Sequence, residues 1–208
     1  MPESVDAEQM NNVNRIVSEA KPLMNDQAVK EIVDQNNEKL IGNGAECIVI
    51  NKKGNPDLVV AFDYAGIKNI EEQKVQFYWH RIYSVLFPHN FPRFYSVWAT
   101  EKSSGTIRQK IDSTDKPAQV NYPFGMVRDL CREFNLPLWV DRVSSNFTVG
   151  RDGGEYYLDQ PTTLRYPNAW NKGKVLEFMQ KNGNSEEEKQ SVLKYIERLN
   201  QIESTKKI

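Results

Sequence analysis

Between Phe147 and Leu158 two runs of strand formers, Phe147-Thr148-Val149 and Glu155-Tyr156-Tyr157-Leu158, flank a turn built on Gly150, Gly153 and Gly154. Strands joined in this way pair as a hairpin, and a hairpin returns its two ends to one place. The ends here are Asn146, preceded by the polar loop from Asp141, and Asp159. The local pattern therefore converges two carboxylates and one amide that are spread along the chain. Asn146 and Asp159 suit Mg²⁺, a hard cation that takes one or two protein oxygens and leaves its other positions to water and phosphate. Asp141 is a separate carboxylate, suited to accept the proton of an attacking hydroxyl. The alternative is a surface hairpin whose Asp and Asn serve turns, and these residues alone leave it open.

Composition narrows the class. The chain has 208 residues, a net charge of −1, 39% hydrophobic and 26% charged residues, which suits a globular protein of one domain or two small lobes. The near-neutral balance lacks the basic footprint of a general nucleic-acid binder. Cys47 and Cys131 lie far apart with no metal-type spacing, which points away from disulfide scaffolding and zinc. No apolar run approaches the roughly 18 residues of a membrane span, and Met-Pro-Glu-Ser-Val-Asp is unlike a signal peptide. The expectation is a cytoplasmic protein, or one delivered into a host cytosol, with no membrane partner.

Two helices are expected first. Val5 to Ala20 carries Met10, Val13, Ile16 and Val17 at helical spacing, and Asn25 caps a second helix, Asp26 to Asn36, with Ala28, Ile32 and Val33 on one face. They read as an extension, residues 1–37, without chemistry of its own. Leu40 to Ile50 is then a strand, a glycine turn at Gly42-Asn43-Gly44, and a strand, followed by a turn and a third strand, Leu58 to Phe62. Gly42 and Gly44 let the backbone pass close to a bound group and aim amides at phosphate oxygens. Asn69 to Phe87 is a long helix ending before Pro88, and two strands follow, Phe94 to Thr100 and Gly105 to Ile111. Asp112 to Gln119 reads as a linker and Pro123 to Phe134 as a helix. After Asp159 come an irregular stretch, a short helix at Val175 to Lys181, and a long helix. Its capping box is Ser185-x-x-Glu188, and its stripe is Val192, Leu193, Ile196 and Leu199.

Taken in order, these motifs resemble the protein kinase-like superfamily, in a minimal, atypical form like some bacterial effectors. Asp141-x-x-x-x-Asn146 matches the D-x-x-x-x-N of the kinase catalytic loop, and Asp159 falls where the D-F-G Asp falls. Trp139-Val140 replaces His-Arg before Asp141, and Gln160-Pro161 replaces Phe-Gly after Asp159. Gly42-Asn43-Gly44-Ala45-Glu46-Cys47-Ile48-Val49 resembles G-x-G-x-x-G-x-V, with Cys47 at the third Gly and Val49 at the adenine-capping Val. Pro88-His89-Asn90-Phe91 resembles the stretch that follows the family's αC helix.

The resemblance implies an α+β fold. A small antiparallel N-lobe with an αC-type helix would span 38–112 and a truncated helical C-lobe 120–208, with ATP between them. It implies ATP and Mg²⁺ as cofactors, Asp141 as catalytic base, and Asn146 and Asp159 as metal ligands. Ile41, Gly42, Asn43, Gly44, Ala45, Glu46, Val49, Val59 and Glu72 would bind the nucleotide. If Val59 packs near adenine, alternation puts Ala61 at the place of the phosphate-binding Lys. Three explanations compete for that gap: a pseudokinase, charge supplied from elsewhere such as Lys68, or a Lys-to-Ala substitution made to trap an inactive form. The implied activity is transfer of the γ-phosphoryl to a hydroxyl, with a protein Ser/Thr as acceptor. The alternatives are a nucleotide-binding pseudokinase or scaffold, and a small-molecule or RNA kinase on the same fold.

Overall fold

In a computed structural model the described residues are 4–20, 24–44, 47–64, 68–114, 123–138, 140, 146–159 and 170–206. Among them the fold is α+β, with a five-stranded antiparallel sheet, a two-stranded hairpin and six helices. The chain divides into two units, one formed by Met1–Phe77 with Phe94–Lys110 and the other by Tyr78–Arg93 with Ile111–Ile208. No helix of the described residues is long and apolar enough to cross a membrane.

The first unit begins with α1 (Ala7–Glu19) and α2 (Asp26–Gln35). Asp6 starts α1 by accepting the Gln9 amide at 2.8 Å, and Asn25 starts α2 by accepting the Ala28 amide. Asn37, in the left-handed region at φ 56°, closes α2 as the Glu38 amide turns back to the Val33 carbonyl. The strands β1 (Leu40–Asn43), β2 (Cys47–Asn51), β3 (Leu58–Asp63), β4 (Phe94–Ala99) and β5 (Ser104–Gln109) pair in the order β1-β2-β3-β5-β4. The helix α3 (Ile70–Leu86) lies between β3 and β4 in the chain.

Alternation splits the sheet into two faces. Ile48, Ile50, Val60, Phe62 and Tyr64 join Val13, Ile16, Val29 and Val33 in one core, so α1 and α2 cover this face of the sheet. The inward face of α2 is Val29 and Val33; Ala28 and Ile32, expected from spacing, flank it half-buried. A buried polar joint fastens α1 as well. Glu38 accepts Gln9 Nε2 at 3.0 Å and Asn12 Nδ2 at 2.8 Å, and Gln9 Nε2 also reaches the Asn51 carbonyl. The two helices are therefore built into the sheet unit. Gly105 on β5 is the one glycine of this sheet that packing demands: an added Cβ would lie 2.4 Å from the Ala61 carbonyl oxygen and 2.5 Å from the Trp98 ring.

The second unit centres on the later turns of α3 and the aromatic residues that follow. Trp79 stacks on Tyr83, Tyr83 meets Phe91 at a tilt, and Phe91 meets Tyr157 edge-on. Tyr157 belongs to β7 (Glu155–Tyr157), which pairs with β6 (Phe147–Val149). The Pro123–Glu133 helix, α4, is followed by Phe134, whose ring meets Phe178 on α5 (Lys172–Lys181). Helix α5 starts earlier than its apolar residues suggest, because Asn171 caps it by accepting the Lys174 amide. In α6 (Glu186–Lys206) the capping box forms, with the Glu188 amide on Ser185 Oγ at 3.2 Å and the Ser185 amide on Glu188 at 2.9 Å. Its buried stripe is Val192, Ile196 and Leu199, with Leu193 half-buried.

The expected linker needs correction at its start. Ser113 bridges to Gly150, the Thr114 amide donates to the Val149 carbonyl, and the Arg151 amide donates to the Asp112 carbonyl. Asp112 to Thr114 is thus held along the β6–β7 hairpin, because its backbone finds partners there that a free linker would leave to water. The rest of that segment, 115–120, lies outside the described residues.

Candidate functional site

The β6–β7 hairpin is fixed by what it packs against. Its first pair is Phe147 opposite Tyr157, two rings 5.1 Å apart, and Tyr157 is buried. The Tyr157 amide donates to the Asn90 carbonyl at 2.9 Å, and Asn90 Nδ2 donates to the Glu155 carbonyl at 3.2 Å. At the turn, Asp152 accepts the Gly154 amide at 3.0 Å and the Tyr156 hydroxyl at 2.5 Å. That hydroxyl, first among several donors, holds the Asp152 carboxyl below the usual carboxylate range. Burial, reinforced by Asp152, pushes the Tyr156 phenol up.

The ladder runs one step past the strands, with the Leu158 amide on the Asn146 carbonyl at 2.8 Å. Beyond it Asn146 Nδ2 stands 3.5 Å from Asp159 Oδ2, with Asn146 half-buried and Asp159 exposed. That separation is long for a hydrogen bond, so it reports proximity rather than strength. Here the Asn146 NH₂, not its oxygen, faces the carboxylate; with the amide turned over, its oxygen and the Asp159 carboxylate would form the kind of oxygen set Mg²⁺ takes. Among the described residues no group of three or more His, Cys, Asp or Glu side chains is arranged to hold a metal. Asp141 lies outside the described residues, as do Trp139 and Gln160-Pro161.

In the first unit β1 and β2 form the hairpin expected around the glycine turn. Asn43 pairs with Ile48, and the Gly44 amide donates to the Cys47 carbonyl at 2.8 Å. A register shift between Leu40 and Gly42 leaves Ile41 exposed. An added Cβ at Gly42 or Gly44 meets nothing within 4 Å, and neither has a positive φ. The fold itself thus does not require glycine at either place. Ala45 and Glu46 lie outside the described residues. The Tyr64 hydroxyl, donating to the Gly44 carbonyl at 2.9 Å, ties the turn to the end of β3.

Val49 lies directly opposite Ala61, and Cys47 opposite Asp63. Val59, Ala61 and Asp63 therefore share the face opposite the α1–α2 core, and all three are buried. The polar contact from α3 to β3 runs from Gln73 Nε2 to Asp63 Oδ2 at 2.7 Å. Glu72, the neighbouring residue, is half-buried, and its amide is capped by Asn69. Asp63 and Gln73 were not singled out by motif reading. Their signal was a carboxylate on the strand's alternation two residues past Ala61. Cys131 is buried, and its thiol is pushed up by burial, as befits a packed rather than reactive cysteine.

No protein-family model matches the chain, and no curated protein matches it. Among solved structures, a co-crystal structure of WbdD with the kinase inhibitor LY294002 is similar at a TM-score of 0.34 and 14% identity, covering 73% of this chain and 49% of that one. A structure of the bifunctional kinase-methyltransferase WbdD is similar at a TM-score of 0.33 and 15% identity, covering 76% and 43%. The chain spans less than half the length of each. Nothing about its chemistry follows from likeness at that level.

Proposed function

We propose that this chain is a minimal, kinase-like phosphotransferase that takes ATP with Mg²⁺ and moves the γ-phosphoryl to a hydroxyl, with a protein Ser or Thr as acceptor, in its own or a host cytosol. The observation that carries the reading is the hairpin that sets Asn146 beside Asp159 at 3.5 Å, on a base fixed by Asn90 and Tyr157. The glycine turn supports it, since Gly42 and Gly44 sit where the fold would accept a side chain and close approach of a ligand would not.

In this reading Asp159 and Asn146 hold the metal, which neutralises charge on the phosphates. For the nucleotide itself, Gly42 to Glu46 are the proposed phosphate contacts and Ile41, Val49 and Val59 the proposed adenine contacts. Asp141 orients the acceptor and receives its proton as the hydroxyl oxygen bonds to the γ-phosphorus and the bond to the bridging oxygen breaks, releasing ADP. Glu72 stays a candidate for the nucleotide side of α3.

A second reading, a nucleotide-binding pseudokinase, is favoured by one observation. The β3 face that carries Ala61 offers no lysine, and its last residue is Asp63. Incubation with γ-labelled ATP, Mg²⁺ and a cell lysate separates the two. Label on a protein acceptor, lost in Asp159→Ala, supports the enzyme. Mg²⁺-dependent ATP binding without transfer by the wild type supports the pseudokinase, and no nucleotide binding at all removes both.

A further inference from the structure

Asp63 is a buried carboxylate, 4% exposed, and such a group persists only when met by donors. Gln73 Nε2 at 2.7 Å and Ser104 Oγ at 2.8 Å donate to Oδ2, while Lys68 Nζ stands 3.1 Å from Oδ1. Ser104 Oγ also accepts the Lys68 amide at 2.9 Å. Lys68 is therefore held at both ends, its main chain by Ser104 and its ammonium by Asp63. The Lys68 side chain remains 27% exposed. Its charge is fixed in place and still reachable.

Three further observations bear on anion binding there. Lys68 immediately precedes Asn69, which caps the 17-residue α3, so the ammonium sits near the positive pole of a helix. That field favours negative charge, which Asp63 and the first-turn residues Glu71 and Glu72 supply beside Lys68. Thr106 Oγ1 is buried with no hydrogen-bond partner among the described residues, and Thr106 pairs with Ala61 and shares its face. Its hydroxyl has a proton that an anion's oxygen could accept. Cys47 lies opposite Asp63, so the glycine turn ends beside this cluster, held there by Tyr64.

We propose that Lys68, positioned by Asp63 and Ser104, is the cation that receives the phosphates of a nucleoside polyphosphate at the glycine turn, standing in for a lysine on β3. This rests on the nucleotide reading above, and every residue in it belongs to the first unit. Calorimetric titration of the full chain with ATP plus Mg²⁺, and with adenosine, tests it. In Lys68→Met, ATP affinity falls about 10- to 100-fold, the span of one charge-assisted hydrogen bond, while adenosine is unaffected and Lys68→Arg recovers part of the loss. Unchanged ATP affinity in a folded Lys68→Met overturns the assignment and leaves the phosphotransferase reading standing. Absence of ATP binding in the wild type overturns both. Should Lys68→Met fail to fold, acetylation of the wild type decides: ATP with Mg²⁺ slows modification of Lys68 and adenosine does not, whereas equal rates overturn the proposal.

Discussion

Replacing Glu38 with alanine tests whether α1 belongs to the sheet that carries the glycine turn. The Glu38 side chain is 2% exposed and accepts Gln9 Nε2, Asn12 Nδ2 and, at 3.4 Å, Lys53 Nζ. Its removal breaks two hydrogen bonds to a charged group, each worth about 1.5–3 kcal/mol. Gln9 keeps a partner in the Asn51 carbonyl, and Lys53 keeps Glu8 at 2.8 Å. Asn12 keeps neither, so its buried amide bears the cost of desolvation. The expected loss is therefore roughly 3 kcal/mol, the lower end of the simple sum of two bonds. Urea unfolding followed by circular dichroism should show a lower midpoint with the same slope, because the surface exposed on unfolding hardly changes. Glu38→Leu with Asn12→Leu should recover much of the loss, since removing both partners leaves nothing unpaired. A loss below about 1 kcal/mol in Glu38→Ala would refute the reasoning, because a buried carboxylate with these partners cannot be removed so cheaply.

Gly105→Ala should lower stability by roughly 3 kcal/mol, the upper end for overpacking, since the added Cβ would meet a backbone oxygen on β3 as well as the Trp98 ring; a thermal melt within a degree of wild type would contradict this. Gly44→Ala should leave stability within about 0.5 kcal/mol of wild type, as its surroundings are open. It should nonetheless weaken nucleotide binding; equal affinity by titration would count against the glycine turn as a phosphate cradle. The Asp152 carboxyl, held low first by the Tyr156 hydroxyl, contributes stability that is complete above its unfolded pKa of about 3.9 and is lost as pH falls through its lower folded value. The stability difference between wild type and Asp152→Asn should accordingly shrink below about pH 4; a difference constant with pH would show that the interaction is not ionic.

Much of the local structure was legible because it follows from short-range chemistry. The caps at Asn25 and Ser185 use an oxygen and an amide three residues apart, and the β6–β7 strands carry their register in the glycine turn. Placing Asn146 near Asp159 needed only that hairpin. What stayed hidden depends on partners distant in the chain. Glu38 meets Gln9 and Asn12 across the fold, Asp112 to Thr114 lies along Val149 to Arg151, and Asp63 draws in Gln73 and Ser104. The opposition of Val49 to Ala61 likewise needed the register of β2 on β3. Spacing alone cannot give such a register, because sliding by one residue exchanges the two faces.

The most direct test of the central claim uses Mn²⁺ in place of Mg²⁺, with the bound ion followed by electron paramagnetic resonance as ATP is added. Wild type should bind the ion tightly only with ATP present. Asp159→Ala should weaken that binding by about 100-fold or more, and Asn146→Ala should also weaken it, both remaining folded. ATP-dependent Mn²⁺ binding of equal strength in wild type and both variants would show that the metal is held elsewhere, and would contradict the account.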